Sequence, residues 1–193
     1  MPNNQQMTDF VISMLQNNLS EFYYYHNQNH TLYVAEKTLE IGSHEQCTEK
    51  ELELLNLAAL WHDTGYTITY NNHEVESCKL ARQYLPEYSY SKPDIEQICS
   101  MIMATKIPQT PKTKLEEILA DADLEYLGTS SYELKSDSLF HELQAIDPSM
   151  TIAKWNQLQI SFLRSHHYFT EFCKLNREPM KMKYLNQLLH RLR

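Results

Sequence analysis

Only three of the 193 residues are glycine, at Gly42, Gly65 and Gly128, too widely separated for a glycine-rich loop that lays backbone amides on a phosphate. That excludes Rossmann and P-loop nucleotide sites. Basic charge is also short: 17 Lys and Arg stand against 25 Asp and Glu, a net charge of −8, which removes the cationic field a nucleic-acid binder needs. Apolar runs such as Leu57-Ala58-Ala59-Leu60-Trp61 fall far below membrane-spanning length, and the polar start from Met1 to Phe10 does not resemble a signal peptide. The four cysteines, Cys47, Cys78, Cys99 and Cys173, have no paired spacing for zinc or dithiol chemistry. These absences describe a cytoplasmic protein with reduced thiols and with no nucleic-acid or membrane partner. Its 42% hydrophobic and 22% charged content is that of an ordinary core-forming chain.

What is present is helical periodicity. Ile95, Ile98, Cys99, Ile102 and Met103 follow i, i+3, i+4, i+7, i+8 and predict one buried stripe. Shorter patterns run through Phe10 to Leu15, Leu115 to Leu119, Ile152-Trp155-Leu158-Phe162 and Leu185-Leu188-Leu189. Thr48 with Glu51 reads as a capping box opening a helix through Trp61, with Gly65 at its stop. Tyr66 to Tyr70 has strand propensity but is read as an extended loop, and Pro108 and Pro111 make a second, stiff loop. The fold class is therefore all-α. With no linker or repeat, residues 1–193 read as a single domain, with the residues after about 130 forming extra helices packed on the first part.

Nine histidines invite inspection because of where polar residues fall. His62-Asp63 ends an apolar helix, His30 follows an aromatic segment from Phe22 to Tyr25, and Asp121-Ala122-Asp123 ends the apolar stretch Leu115 to Ala120. Imidazoles and carboxylates at the ends of buried helices are costly unpaired, and a shared divalent cation explains their convergence.

The order His30, His62-Asp63, Asp123 resembles the H…HD…D ligand set of the HD superfamily of metal-dependent phosphohydrolases, an all-helical fold. Tyr25-His26-Asn27-Gln28-Asn29-His30 is similar to the YHNxxH segment of its cyclic-nucleotide phosphodiesterase relatives, where the first histidine donates a proton and the second binds metal. Thr64-Gly65-Tyr66-Thr67 lacks the further elements of those enzymes and the proline of the GYP signature. Closer is the likeness to small predicted bacterial HD hydrolases, through Asn72-His73-Glu74, Ala104-Thr105-Lys106, Asp121 to Leu124 and Leu127-Gly128.

The resemblance covers a core of about 25–128, with about 130–193 as a helical extension, and implies that His30, His62, Asp63 and Asp123 hold a divalent ion. Two neutral imidazoles and two carboxylates cancel a 2+ charge, leave positions open for water and phosphate, and suit Mn, Mg, Fe, Co or Ni. It implies His26 as proton donor, Glu74 orienting the attacking water, Lys106 meeting the substrate phosphate, His73 at a second metal or the phosphate, and Asp121 orienting a ligand histidine from behind. Plainer readings exist: His26 as packing in the aromatic cluster, His73-Glu74 as a helix N-terminus, Lys106 as a solvated lysine. Arg164-Ser165-His166-His167-Tyr168 reads as an exposed helix end. The expected activity is hydrolysis of a phosphate monoester or diester of a nucleotide or related small metabolite by a metal-activated water. The alternatives are a di-iron oxygenase of the same fold and a non-catalytic nucleotide sensor.

Overall fold

The computed structural model describes residues 4–191, and among them every regular element is a helix. The first six are α1 (Asn4–Asn18), α2 (Gln28–His44), α3 (Glu49–Trp61), α4 (His73–Tyr84), α5 (Lys92–Ala104) and α6 (Lys114–Asp123). The last four are α7 (Tyr132–Ile146), α8 (Ile152–Ser165), α9 (Glu171–Asn176) and α10 (Glu178–Arg191). Residues 1–3, part of the polar start from Met1 to Phe10, lie outside the described residues. No described helix is long and apolar enough to cross a membrane. All four cysteines are free thiols.

α3 is the central element because it is apolar nearly all round: Leu54, Leu55 and the run Leu57 to Trp61 are all buried. Its start is the capping box of Thr48 and Glu51. α2, α5 and α6 pack around it, and α4 packs on α5. This first core includes Ile98, Ile102, Ile118 and Leu119. In the α5 stripe Met103 is 38% exposed and Met101 takes a core place instead. A second core, formed by Leu163, Leu185 and Leu188 of the later helices, takes in Tyr25, Leu124, Tyr126 and Leu127 from the first part. The two cores meet where α6 ends.

The segment expected as an extended loop differs. Thr64–Thr67 forms a 3-10 turn, with Thr64 Oγ1 donating to Trp61 O at 2.8 Å and Thr67 Oγ1 to Thr64 O at 2.7 Å. Strand propensity measures fit to a pleated surface, and here tertiary packing overrides it. Gly65 ends nothing by a left-handed turn, since no described glycine has positive φ. Its role is space: a Cβ there would lie 1.9 Å from His73 O, so only glycine lets the start of α4 close onto this turn.

Candidate metal and phosphoryl-transfer site

α2 carries His30 in its first turn, where Asn27 accepts from Asn29 N as N-cap. His62 is the C-cap of α3. Helix C-termini leave carbonyls without intrahelical partners, and His62 Nδ1 donates to one of them, Ala59 O, at 2.7 Å. That bond occupies Nδ1 and turns Nε2, the nitrogen that would take a metal, toward the carboxylates. Ser77 Oγ secures the turn from α4, donating to His62 O at 2.6 Å and accepting from Gly65 N at 2.8 Å. Asp123 closes α6.

These positions converge. His30 Nε2 lies 3.1 Å from Asp123 Oδ1 and 3.4 Å from Asp63 Oδ2, and His62 Nε2 lies 3.1 Å from Asp63 Oδ2 and 3.6 Å from Asp123 Oδ1. The donor atoms of His30, His62 and Asp123 fall within 4.8 Å of one another, a set that can hold a metal ion. Two of the atoms, His62 Nε2 and Asp63 Oδ2, are buried without a hydrogen-bond partner. Buried polar atoms are rarely left so, and a divalent cation would satisfy both. Burial alone would raise the Asp63 carboxyl, but the charge and hydrogen bond of His62 and the hydrogen bond of His73 outweigh it and hold it well below the ordinary range. Burial lowers His30, keeping it in the neutral form a ligand needs.

His73, the first residue of α4, puts Nε2 3.3 Å from Asp63 Oδ1 and 3.8 Å from Glu74 Oε1. Glu74 is buried, with Oε2 unpartnered. The Tyr66 ring stacks on His73 at 3.8 Å and meets His26 at 4.4 Å, so one aromatic ring packs against both imidazoles, which lie 6.4 Å apart. His26 Nδ1 bonds Glu142 Oε1, while Glu142 Oε2 accepts from the backbone N–H of Tyr25 at 2.8 Å and of His26 at 3.0 Å. Burial disfavours a charged His26, but Glu142's hydrogen bond and charge prevail and raise its pKa above the ordinary value. Asp63, His73, Glu74, Asp123 and His26 all line one cavity of about 280 Å³.

Two expected residues lie elsewhere. Asp121 accepts from Phe169 N at 2.9 Å, Thr170 N at 2.8 Å and Thr170 Oγ1 at 2.6 Å, so it anchors the start of α9 rather than orienting a ligand histidine. Its partners are the backbone N–H groups of Phe169 and of the N-cap Thr170, just before the first turn of α9. Lys106 donates to Asn72 Oδ1 at 2.7 Å beside His73, while its neighbours Thr105 and Ile107 line the cavity. The stretch read as an exposed helix end contains a buried residue, Tyr168, whose hydroxyl donates to Leu124 O at 3.1 Å and Glu125 O at 3.2 Å.

Glu142, Tyr66, Ser77 and Tyr168 were not legible as site residues. Glu142 acts across 116 positions and no local pattern announces it. Ser77 alone had a usable signal, four residues after His73 and thus on the same face of α4.

The comparisons agree with this geometry. The family model described as HD domain matches residues 27–125, about half the chain. No curated protein matches. Two solved structures share the fold. One is a predicted HD superfamily hydrolase from an uncultured Thermotogales bacterium, with TM-score 0.62 and 18% identity over 95% of this chain and 90% of that one. The other is Bacillus subtilis YpgQ in complex with ADP, with TM-score 0.65 and 17% identity over 96% of both chains. With the ordered histidines and aspartates gathered at one point and the family model spanning them, the chain belongs to the HD-domain family.

Proposed function

We propose that the chain is a metal-dependent phosphohydrolase that cleaves a phosphate monoester or diester of a nucleotide or related small metabolite. The observation that carries this reading is the convergence of His30, His62 and Asp123 donor atoms within 4.8 Å, beside a cavity that His26 and Glu74 also line. His30, His62, Asp63 and Asp123 would hold the ion. When bound, it supplies Lewis acidity to a phosphoryl oxygen and acidifies a water toward neutral pH.

The remaining steps belong to the chain's own groups. His26 keeps Nδ1 on Glu142 and so has Nε2 to give its proton to the leaving oxygen, with Tyr66 fixing the ring plane. Glu74, through its unpartnered Oε2, orients the attacking water and accepts its proton. Lys106, at the rim beside Asn72, is assigned a phosphate-binding role only. ADP in the YpgQ crystal supports a substrate of nucleotide type. The same reading takes residues 1–193 as one domain, because Glu142 of α7 and Tyr168 after α8 brace residues of the first part.

Asp63 favours a two-ion variant: Oδ2 faces His30 and His62 while Oδ1 faces His73, so His73 and Glu74 would hold a second ion together with Asp63. Metal analysis of the purified chain, then phosphate release from a panel of nucleotides and phosphate esters, tests both. One or two ions per chain with turnover supports the proposal. No cleavage of any monoester or diester by the loaded protein, followed as released phosphate or as freed alcohol, or dioxygen consumption by an iron-loaded sample, rejects it.

A further inference from the structure

A phosphate ester has two halves, and the residues assigned above deal with one. The cavity runs on past Asp63 and Asp123 to a wall supplied by α7 and α8. Leu139 and Leu143 stand one turn apart on α7, and Trp155, Leu158 and Phe162 fall on one face of α8, so two apolar stripes line the space. Leu158 is 47% exposed, which a stripe serving only to fill a core would not leave. The polar groups at this end are few and partly paired: Gln159 Oε1 accepts from Tyr132 OH at 2.8 Å and from Ser136 Oγ at 2.5 Å. Among the described residues, no lysine or arginine lines the cavity, and its positive charge is confined to histidines at the ion end.

We propose that this wall is a specificity subsite for the alcohol half of the substrate, and that it takes an uncharged apolar group, alkyl or aryl, bearing a single phosphate. The proposal rests on the hydrolase reading of the same site and narrows it. A hydroxyl-rich sugar would give up its bonds to water against a wall that is mostly leucine and aromatic carbon, and a second phosphate lying against that wall would bring charge where α7 and α8 line the cavity with no cation. An apolar body gains by leaving water, in proportion to the area covered. Of the two substrate classes named above, small metabolite esters are favoured over nucleotides.

The test is calorimetric titration of the Mg-loaded full chain with non-hydrolysable alkylphosphonates from methyl to hexyl, with phenylphosphonate, and with AMP. Burial of each methylene predicts a Kd about two- to fourfold tighter per carbon until the cavity is filled. Hexyl- and phenylphosphonate should then bind more tightly than AMP. Leu158→Asn and Leu143→Asn should each cut the methyl-to-hexyl gain by about fivefold or more, with thermal melting verifying that both variants fold. A Kd indifferent to chain length, AMP binding more tightly than hexylphosphonate, or folded variants that keep the full gain would each overturn the subsite. Phosphate release from hexyl phosphate is measured in parallel and answers the other question. Graded phosphonate binding without turnover leaves the subsite standing and removes the hydrolase, whereas turnover without grading does the reverse.

Discussion

Glu142 holds His26 by three bonds at once: one oxygen takes the imidazole Nδ1 and the other takes the backbone N–H groups of Tyr25 and His26. The carboxylate is fully buried, so α7 presents a charge to the protein interior that only the residues of the α2 entry satisfy. A buried acid of this kind is expensive without a cation beside it, and the imidazolium supplies one. The later helices are therefore part of the site's chemistry as well as its wall.

Glu142→Gln should move the basic limb of the kcat/KM profile to lower pH, because the charge that keeps His26 protonated is gone. The stability difference between wild type and variant has a worked sign. His26 is raised above its ordinary 6.5, so its contribution is complete below that pH and fades as pH rises through the folded value. Glu142 is lowered below its ordinary 4.5, so its contribution is complete above that pH and fades as pH falls through the folded value. Denaturant melts across pH should show the largest gap between about 4.5 and 6.5. A gap that does not vary with pH would mean the pair is uncharged.

His26 and Lys106 divide by stage. Losing a general acid lowers kcat by ~10²–10⁴ where the leaving group is a poor one, and hardly at all where it is nitrophenolate. His26→Ala should be severe on an alkyl phosphate and mild on a nitrophenyl phosphate. Lys106→Ala should raise KM for both alike, since pairing with phosphate is uniform binding. Equal slowing of both substrates by His26→Ala would return that histidine to the aromatic packing around Tyr66.

Much of this was legible in the chain because the signals are local. The Thr48–Glu51 capping box places α3, its apolar run makes it central, and His62-Asp63 at its end lies beside the ion site by necessity. The order of His30, His62-Asp63 and Asp123 picked out residues that the fold brings together. What escaped depends on contacts distant in sequence. Asp121 was expected to orient a ligand histidine, and only the approach of Thr170, far along the chain, makes it an anchor instead. The run from Tyr66 to Tyr70 keeps its strand propensity, which its packing against His26 and His73 overrules.

Asp63→Ala and Asp123→Ala should each abolish retained metal in elemental analysis, since each removes a carboxylate from a buried set that otherwise cancels the ion's charge. In wild type, added Mn should raise thermal stability by mass action, about 2.7 kcal/mol at a hundred times its Kd. Neither variant should respond. Unchanged metal content in both would remove these residues from the ligand set.

Tyr168 gives the sharpest test of the later helices. Its hydroxyl donates to Leu124 O and Glu125 O, the two carbonyls directly after Asp123, from a side chain that is 2% exposed. Tyr168→Phe keeps the ring and removes the donor that Leu124 O and Glu125 O share, while Leu124 O keeps its bond from Leu127 N at 3.1 Å, at a cost of about 0.5–1.5 kcal/mol. Packing changes little, so the variant should fold with a lowered Tm. The segment carrying Asp123 would keep Asp121 on Thr170 and Glu125 on Tyr33 and Arg177, but with one tie fewer the carboxylate should wander from the distance His30 requires. Metal affinity should fall by about 10- to 100-fold, the usual effect of removing a partner that orients a ligand. At saturating metal, kcat should return toward wild type because the chemistry of the site is intact. A Tm decrease with unaltered metal affinity would make Tyr168 a brace of the second core and nothing more.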